Sequence, residues 1–245
     1  MRLVRKIHKW VSVIIGIQLL LWLLSGIFFN MMDHTKAAGN TFKNRAHQHV
    51  EVEQALLVEP LSVLQANKAS ISLVQTQLLE QPYYLLTHTK GLYKHFENHY
   101  TLINAYTGEQ VIVDNELAVK LAKQSYTGPG EVISTKLLHY PLDDFPKQKN
   151  ASWQINFADD INSSVYIEAG SGRVVGHSDD DKRFADFFFM LHFMDYGNVG
   201  SFNSVQMMLF AFITLWLSLT GLIWTIHLAT KGQYKIKKRS NRRSK

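Results

Sequence analysis

"NAYTGEQVI" at 104–112 and "EAGSGRVVG" at 168–176 carry one pattern twice: Ala105 and Ala169, Gly108 and Gly172, and Val111 and Val175 coincide at an offset of 64 residues. In each copy the end of a strand runs through a Thr-Gly or Ser-Gly pair into a second short strand. Glycine is the residue that enters the positive-φ position of such a turn without strain. Each copy therefore reads as the closing hairpin of an antiparallel sheet, and the preceding text should supply the rest of it.

Upstream of the first copy, "PLSVLQANKA" (60–69) reads as a short helix with Pro60 at its start. Alternating, β-rich text follows: "ISLVQTQLL" (71–79), "PYYLLTHT" (82–89) and "HYTLINAY" (99–106). The second copy is preceded by "NELAVKLAKQ" (115–124), a helix with Asn115 as its cap, and by the strands "ASWQINF" (151–157) and "SSVYIEA" (163–169). The expectation is two α+β repeats, 50–114 and 115–178, each a helix laid on an antiparallel sheet.

Outside the repeats the character of the chain changes. Its 46% hydrophobic and 19% charged composition is that of an ordinary globular protein. Yet no Asp, Glu, Lys or Arg occurs from Trp10 to Met32, or from Phe202 to His227. Each run exceeds the ~18 to 20 apolar residues needed to cross a bilayer, so 10–33 and 202–228 read as transmembrane helices. The expected fold class is an α+β membrane protein, with two transmembrane helices flanking an extracytoplasmic domain of two helix-plus-antiparallel-sheet repeats. Between that domain and the second span, "KRFADFFFMLHFMDYG" (182–197) reads as an interfacial amphipathic helix.

Charge sets the topology. Arg2, Arg5, Lys6 and Lys9 precede the first span, eight Lys or Arg residues fill 231–245, and neither tail has an acidic residue. The other 14 of the 26 basic residues share the middle of the chain with all 20 acidic ones, a net of −6 there. Under the positive-inside rule the tails, 1–9 and 229–245, are cytoplasmic and the central domain is periplasmic, in a multi-pass protein of the inner membrane. The overall charge of +6 is then a topology signal, met by anionic lipid of the bilayer, and nucleic acid is excluded as a partner. The first apolar run outlasts the about 7 to 15 residues of a secretory signal, and "AAGN" (37–40) is a poor cleavage site, so the span reads as an uncleaved anchor. With no cysteine, the chain holds no disulfide scaffold, cysteine-ligated iron–sulfur cluster, c-type haem attachment or cysteine zinc site. Phosphate-binding glycine loops, the zinc-protease helix motif, G-x-S-x-G and the Rossmann fingerprint are likewise missing from the sequence.

Four histidines lie near the ends of the spans, His8 and His227 on the cytoplasmic side, His34 and His192 on the other. Asp195, three positions after His192, is placed to hydrogen-bond its imidazole. The loop histidines, among them "HQH" (47–49) and "HFENH" (95–99), read as a solvated polar face or, with Glu97 and Asp179 to Asp181 near them, as metal ligands.

A helix followed by strands ending in "NAYTGEQV" resembles the PepSY domain. The frame around it, "IHKWVSVIIGIQLLLWLLSGIF" at the start and "MLHFMDYGNVG" leading into "LFAFITLWLSLTGLIW" at the end, resembles PepSY-associated transmembrane proteins of bacteria. The shared motifs are a His-basic-Trp start to the first span, the pairs Ser25-Gly26 and Thr220-Gly221 late in each span, and a Leu-His before the second. The resemblance implies histidine-ligated haem in the membrane, with ferric-siderophore reduction in larger members that have four spans and, in some, a fused flavin reductase. This chain has two spans, and a basic residue that commonly follows the Leu-His is here Phe193.

A b-type haem needs axial imidazoles from facing helices. His8 and His34 are separated by about 39 Å along a continuous helix, so one haem cannot use both. The economical arrangement pairs them by leaflet: His8 with His227, and His34 with His192. Helical phase opposes the first pair within one chain, because His227 points away from the small-residue stripe of Thr214, Ser218, Gly221 and Thr225, and this leaves room for a homodimer. Two functions stay open. One is a haem b subunit passing electrons from a cytoplasmic flavin or NAD(P)H reductase to an external acceptor such as a ferric chelate, which would make the chain part of a membrane oxidoreductase. The other is a cofactor-free anchor that presents a PepSY pair for protein interaction or peptidase regulation.

Overall fold

The strand "QPYYLLTHT", over Gln81–Thr89, buries side chains on both of its faces, which fixes what must lie on either side of it. The computed structural model describes residues 2–46, 51–200 and 204–232. His47, His49 and the basic tail from Gln233 onward lie outside them. The elements run α1 (Arg2–Met31), α2 (His34–Ala37), α3 (Pro60–Ala66), β1 (Ser72–Leu78), β2 (Gln81–Thr89), β3 (His99–Asn104), β4 (Gln110–Val111), α4 (Asn115–Ser125), β5 (Val132–Leu138), β6 (Ser152–Phe157), β7 (Ser164–Glu168), β8 (Val174–Ser178), α5 (Asp180–Phe193) and α6 (Val205–Thr230).

The strands form two antiparallel four-stranded meanders, β1-β2-β3-β4 and β5-β6-β7-β8. Their closing hairpins are built alike. Gly108 N–H donates to the Asn104 carbonyl at 2.9 Å and Gly172 N–H to the Glu168 carbonyl at 2.9 Å, with the two glycines at φ 73° and 71°. On one face of the first sheet Tyr84, Leu86 and Ile103 pack on Val63 of α3. On the other, Tyr83 and Leu102 join Leu121 of α4 and Ile155, Val165 and Ile167 of the second sheet.

This shared cluster holds eleven buried residues against five in the α3 cluster, so apolar burial is concentrated between the repeats rather than within the first. Ala118 and Ala122 let α4 approach the sheets closely. Its cap is Asp114, one residue before the expected Asn115: the Asp114 side chain accepts the Leu117 N–H at 2.9 Å from extended backbone, and Asn115 is already helical.

The far face of the second sheet is polar yet buried. Glu168, 1% exposed, accepts from Gln148 Nε2 (2.9 Å), Asn150 Nδ2 (2.9 Å), Arg173 Nη2 (3.1 Å) and the Ser171 hydroxyl. Asn150 Oδ1 in turn accepts the Asn98 N–H, which ties the loop at 90–98 of the first repeat to the second. Beside this network the Tyr166 hydroxyl donates to Asp144 at 2.9 Å, and Arg183 of α5 reaches the same carboxylate at 3.2 Å. Burial pushes the Asp144 carboxyl up, but the hydrogen bonds from Arg183 and Tyr166 and the Arg183 charge outweigh it and hold it below the ordinary carboxylate value. Arg183 therefore anchors the first turn of α5 to the sheet domain.

Among the described residues two helices are long and apolar enough to cross a membrane, over Lys6–Met31 and Val205–Thr230. The segment read as an interfacial helix over 182–197 is helical over Asp180–Phe193 and lies antiparallel along the second half of α1. Phe184, Phe188 and Phe189 of its Phe-rich stripe meet α1, while Phe187 is exposed.

Candidate functional site

The start of α5 is well specified. Asp179 caps it by accepting the Lys182 N–H at 2.8 Å, and Asp180 and Asp181 place negative charge against the N-terminal dipole. The phenylalanines then form a ladder with α1. Phe188 stacks on Phe28 at 4.0 Å, Phe184 meets the same ring edge-on at 5.6 Å, and Phe189 stacks on Phe29 at 4.6 Å. Aromatic pairs at such spacings contribute about 0.5–1.5 kcal/mol each beyond their burial.

The ladder ends on His192. Its ring lies 5.2 Å from Phe29, 6.0 Å from Trp22 and 5.0 Å from Phe193, and its Nδ1 is 2.8 Å from the Ser25 hydroxyl. Ser25 is 1% exposed, and its Oγ also lies 2.7 Å from the Leu21 carbonyl one turn back. A hydroxyl has one proton, and a serine inside a helix gives it to that carbonyl. With that proton directed at the carbonyl, Ser25 Oγ accepts from His192 Nδ1, the tautomer whose lone pair is on Nε2.

Two further residues of α1 complete the joint. Trp22 Nε1 donates to the His192 carbonyl at 2.5 Å and Gln18 Nε2 to the Leu191 carbonyl at 3.2 Å, satisfying carbonyls that the end of a helix leaves without partners. Gln18, Trp22 and Ser25 follow one another at i, i+4 and i+7, one face of α1. Below them Met194, 4% exposed, packs with Ile15 of α1 and Phe210 of α6, so the turn after α5 sits where both long helices meet.

The other histidines are not drawn into this arrangement. His8 is exposed and faces Trp216 at 6.2 Å. His227 is exposed on α6, eleven residues past Trp216, about 16 Å further along the axis. His34 begins α2, beyond the Phe28 end of the ladder, whereas His192 closes its Trp22 end, eight residues or about 12 Å past Phe184. Neither pairing by leaflet is assembled within one chain. Asp195 does not reach the imidazole either: its carboxylate accepts the Val199 and Gly200 N–H groups at 3.1 and 2.7 Å. The reason is local. Met194 adopts φ 51°, so the helix has ended before Asp195 and the i,i+3 relation no longer holds.

Elsewhere, among the described residues, no three His, Cys, Asp or Glu side chains gather as a metal site. His177, 4% exposed, receives or gives one bond with Ser125 at 2.7 Å, and burial with the nearby Lys43 charge pushes it down to about 4. His88 bonds Thr101 at 2.8 Å, and His95 stacks on Tyr93.

The family model for the PepSY-associated TM region matches residues 5–245. The chain belongs to that family. No curated protein and no solved structure matches it. Within this PepSY-associated protein the two late-span motifs have different fates. Ser25 holds His192, while the Thr220 hydroxyl turns back to its own helix, to the Trp216 carbonyl at 2.9 Å. Gly26 and Gly221 face open space, so both spans keep a bare surface beside the motif. His192 is singled out in the sequence by its Leu-His motif, whereas Gln18 and Trp22 are not. The available signal was polar groups recurring on one face of an otherwise apolar span.

Proposed function

We propose that this PepSY-associated membrane protein is a haem b-binding subunit in transmembrane electron transfer, with His192 as an axial ligand. The observation that carries the reading is the His192–Ser25 bond. It leaves Nε2 unprotonated, in a ring environment of Trp22, Phe29 and Phe193, and orienting the ligand's other nitrogen is how proteins prepare an imidazole for a metal. Haem would supply a one-electron carrier there. The chain's own part is to fix the tautomer through Ser25, to lock the α5 backbone through Trp22 and Gln18, and to surround the ring with aromatic side chains.

His8, His34 and His227 do not face His192, so a second ligand to haem would come from a second copy of the chain, for which the open surfaces at Gly26 and Gly221 leave room. With the basic tails cytoplasmic, the central domain is periplasmic and the protein lies in the inner membrane. Electrons then come from a cytoplasmic flavin or NAD(P)H reductase and leave to an external acceptor such as a ferric chelate.

A reduced-minus-oxidised visible spectrum of the detergent-purified protein, with haem counted per chain, tests this. A b-type α-band that His192→Ala abolishes and Ser25→Ala alters is expected. A featureless spectrum from folded protein overturns it. The second reading, a cofactor-free anchor presenting the PepSY repeats to a protein partner, is favoured by one observation, the separation of the histidine pairs within the chain. Under it His8→Ala and His192→Ala leave partner binding unchanged.

A further inference from the structure

The loop between β2 and β3, residues 90–98, is fixed from within and apolar on its outside. Asn98, 9% exposed, accepts the Gly91 N–H at 2.9 Å and donates to the Phe96 carbonyl at 2.7 Å. Asn150 donates to the same carbonyl at 2.8 Å, and the Lys149 N–H to the His95 carbonyl at 2.8 Å. A Cβ at Gly91 would meet Phe96 Cβ at 2.5 Å, so the loop closes tightly on its own glycine. The side chains of the tip are left bare: Leu92 is 76% exposed, Tyr93 57% and Phe96 38%. Tyr93 stacks on His95 with ring centroids 5.4 Å apart, and Phe96 meets Tyr93 edge-on at 5.4 Å. Apolar groups gathered on a surface mark a contact, and here the backbone beneath them is fixed in advance.

The place of the loop in the fold decides what its tip meets. The end of α5 is bonded to Trp22 of α1, ten residues or about 15 Å inside the Met32 end of the charge-free run Trp10–Met32. The loop lies on this side of the sheet domain. Its His95 carbonyl is bonded by Lys149; two residues earlier Lys147 lies against Gly200, and the Gly200 N–H donates to Asp195, just past the end of α5. Lys94 and His95 also line a cleft whose opposite wall includes Met190 and Phe193 of α5. By contrast Arg183, which ties α5 to Asp144, is in the first turn of that helix, about 15 Å from Phe193 along the axis. A rigid tip of leucine, tyrosine and phenylalanine beside the bilayer end of α5 has the composition of a membrane–water interface.

We propose that the 90–98 loop is a membrane contact, with Leu92, Tyr93 and Phe96 entering the interfacial layer of the leaflet on the side of the central domain and holding the sheet domain against the bilayer. Burial of these side chains drives the contact, so no headgroup charge is required. The proposal rests on α1 crossing the bilayer and is independent of haem. A lipid surface is favoured over a protein partner because the tip lies beside the end of α5 that is bonded to the middle of the first span.

Quenching by labelled lipids tests it, because the chain has no cysteine of its own. Leu92→Cys, at an exposed position, carries a nitrobenzoxadiazole label on the full chain, reconstituted in phosphatidylcholine vesicles with no other protein. Glu109→Cys, exposed and at the opposite end of β3, about 20 Å from the loop, is the control. Lipids with a nitroxide near the headgroup should quench the label at 92 about twofold or more and leave that at 109 unchanged. Tyr93→Ser with Phe96→Ser should lower the quenching at 92. Quenching that survives this pair of substitutions would mean that the label alone enters the bilayer, and would overturn the proposal. Equal quenching at both positions, or an unquenched label at 92 with the emission of a water-exposed dye, would overturn it too, the latter leaving the rings to a protein partner.

Discussion

Replacing Glu168 by alanine tests whether the polar network behind the second sheet holds the two repeats together. The carboxylate is 1% exposed and receives four donors. Without it, Gln148 Nε2 has only Ser152 Oγ at 3.5 Å, while Asn150 Nδ2 keeps the Phe96 carbonyl at 2.8 Å. Arg173 loses its ion-pair partner, but its side chain is 31% exposed and water can replace part of the interaction. Breaking a buried, hydrogen-bonded charge pair costs about 3–5 kcal/mol. The exposure of Arg173 and the retained Asn150 bond put the expected loss near the lower end, about 3 kcal/mol. That is a large share of a domain stability of about 5–15 kcal/mol. Urea unfolding of the detergent-purified chain gives the number, and amide exchange in the loop at 90–98 should rise with it, because Asn150 carries Asn98. Glu168→Gln, which keeps the volume and one acceptor oxygen, should lose less than half as much. If Glu168→Ala unfolds at the wild-type midpoint and the loop exchanges no faster, the network does not join the repeats.

His177 links stability to pH. Its folded value of about 4 lies below the ordinary 6.5, so the unfolded chain binds the extra proton between those values and stability falls as pH drops through that window. The loss is about 3 kcal/mol between pH 7.5 and 4, and His177→Gln should flatten this part of the profile in urea titrations. Because the chain has no native cysteine, Phe29→Cys with Phe189→Cys reports α1–α5 packing without background; mild oxidation should crosslink it, and a free pair would contradict the antiparallel ladder. The hairpin glycines should rank in a defined order. Both have positive φ, but a Cβ at Gly172 meets Leu78 Cδ1 at 2.8 Å whereas at Gly108 the nearest atom is 3.5 Å away, so calorimetry should show Gly172→Ala melting below Gly108→Ala.

The parts of the fold legible in the sequence are those governed by local rules. Length and the absence of charge mark the two apolar helices, and the glycine turns at 108 and 172 mark the paired hairpins. The strand β5, Val132–Leu138, was not singled out. It has intermediate or exposed residues throughout, so its place is set by pairing with β6 and not by an apolar stripe of its own. The helix α4 was legible as an element, but the size of the core it joins was not: its buried residues are two alanines and one leucine, a weak apolar signal that acquires meaning only against the cluster to which both sheets contribute.

The site shows the same division. His192 stands out because a Leu-His precedes an apolar helix, but its nearest polar neighbour in sequence, Asp195, was the wrong partner for it. Helix termination at Met194 turns Asp195 towards the Val199 and Gly200 amides, and the imidazole is met by Ser25, 167 residues away. A contact of that separation has no local signature. What α1 does carry is a constraint on its own polar groups. Gln18, Trp22 and Ser25 interrupt an apolar run, and inside a membrane or a packed interface each donor needs an acceptor. Ser25 can satisfy itself one turn back, whereas Gln18 and Trp22 cannot, and they require acceptors from elsewhere in the chain. The end of a helix, with its unpaired carbonyls, is the element that offers them. Two donors one turn apart on the first span thus imply a helix terminus docked beside it, and the only other feature needed to place His192 against Ser25 is that this terminus is the end of α5.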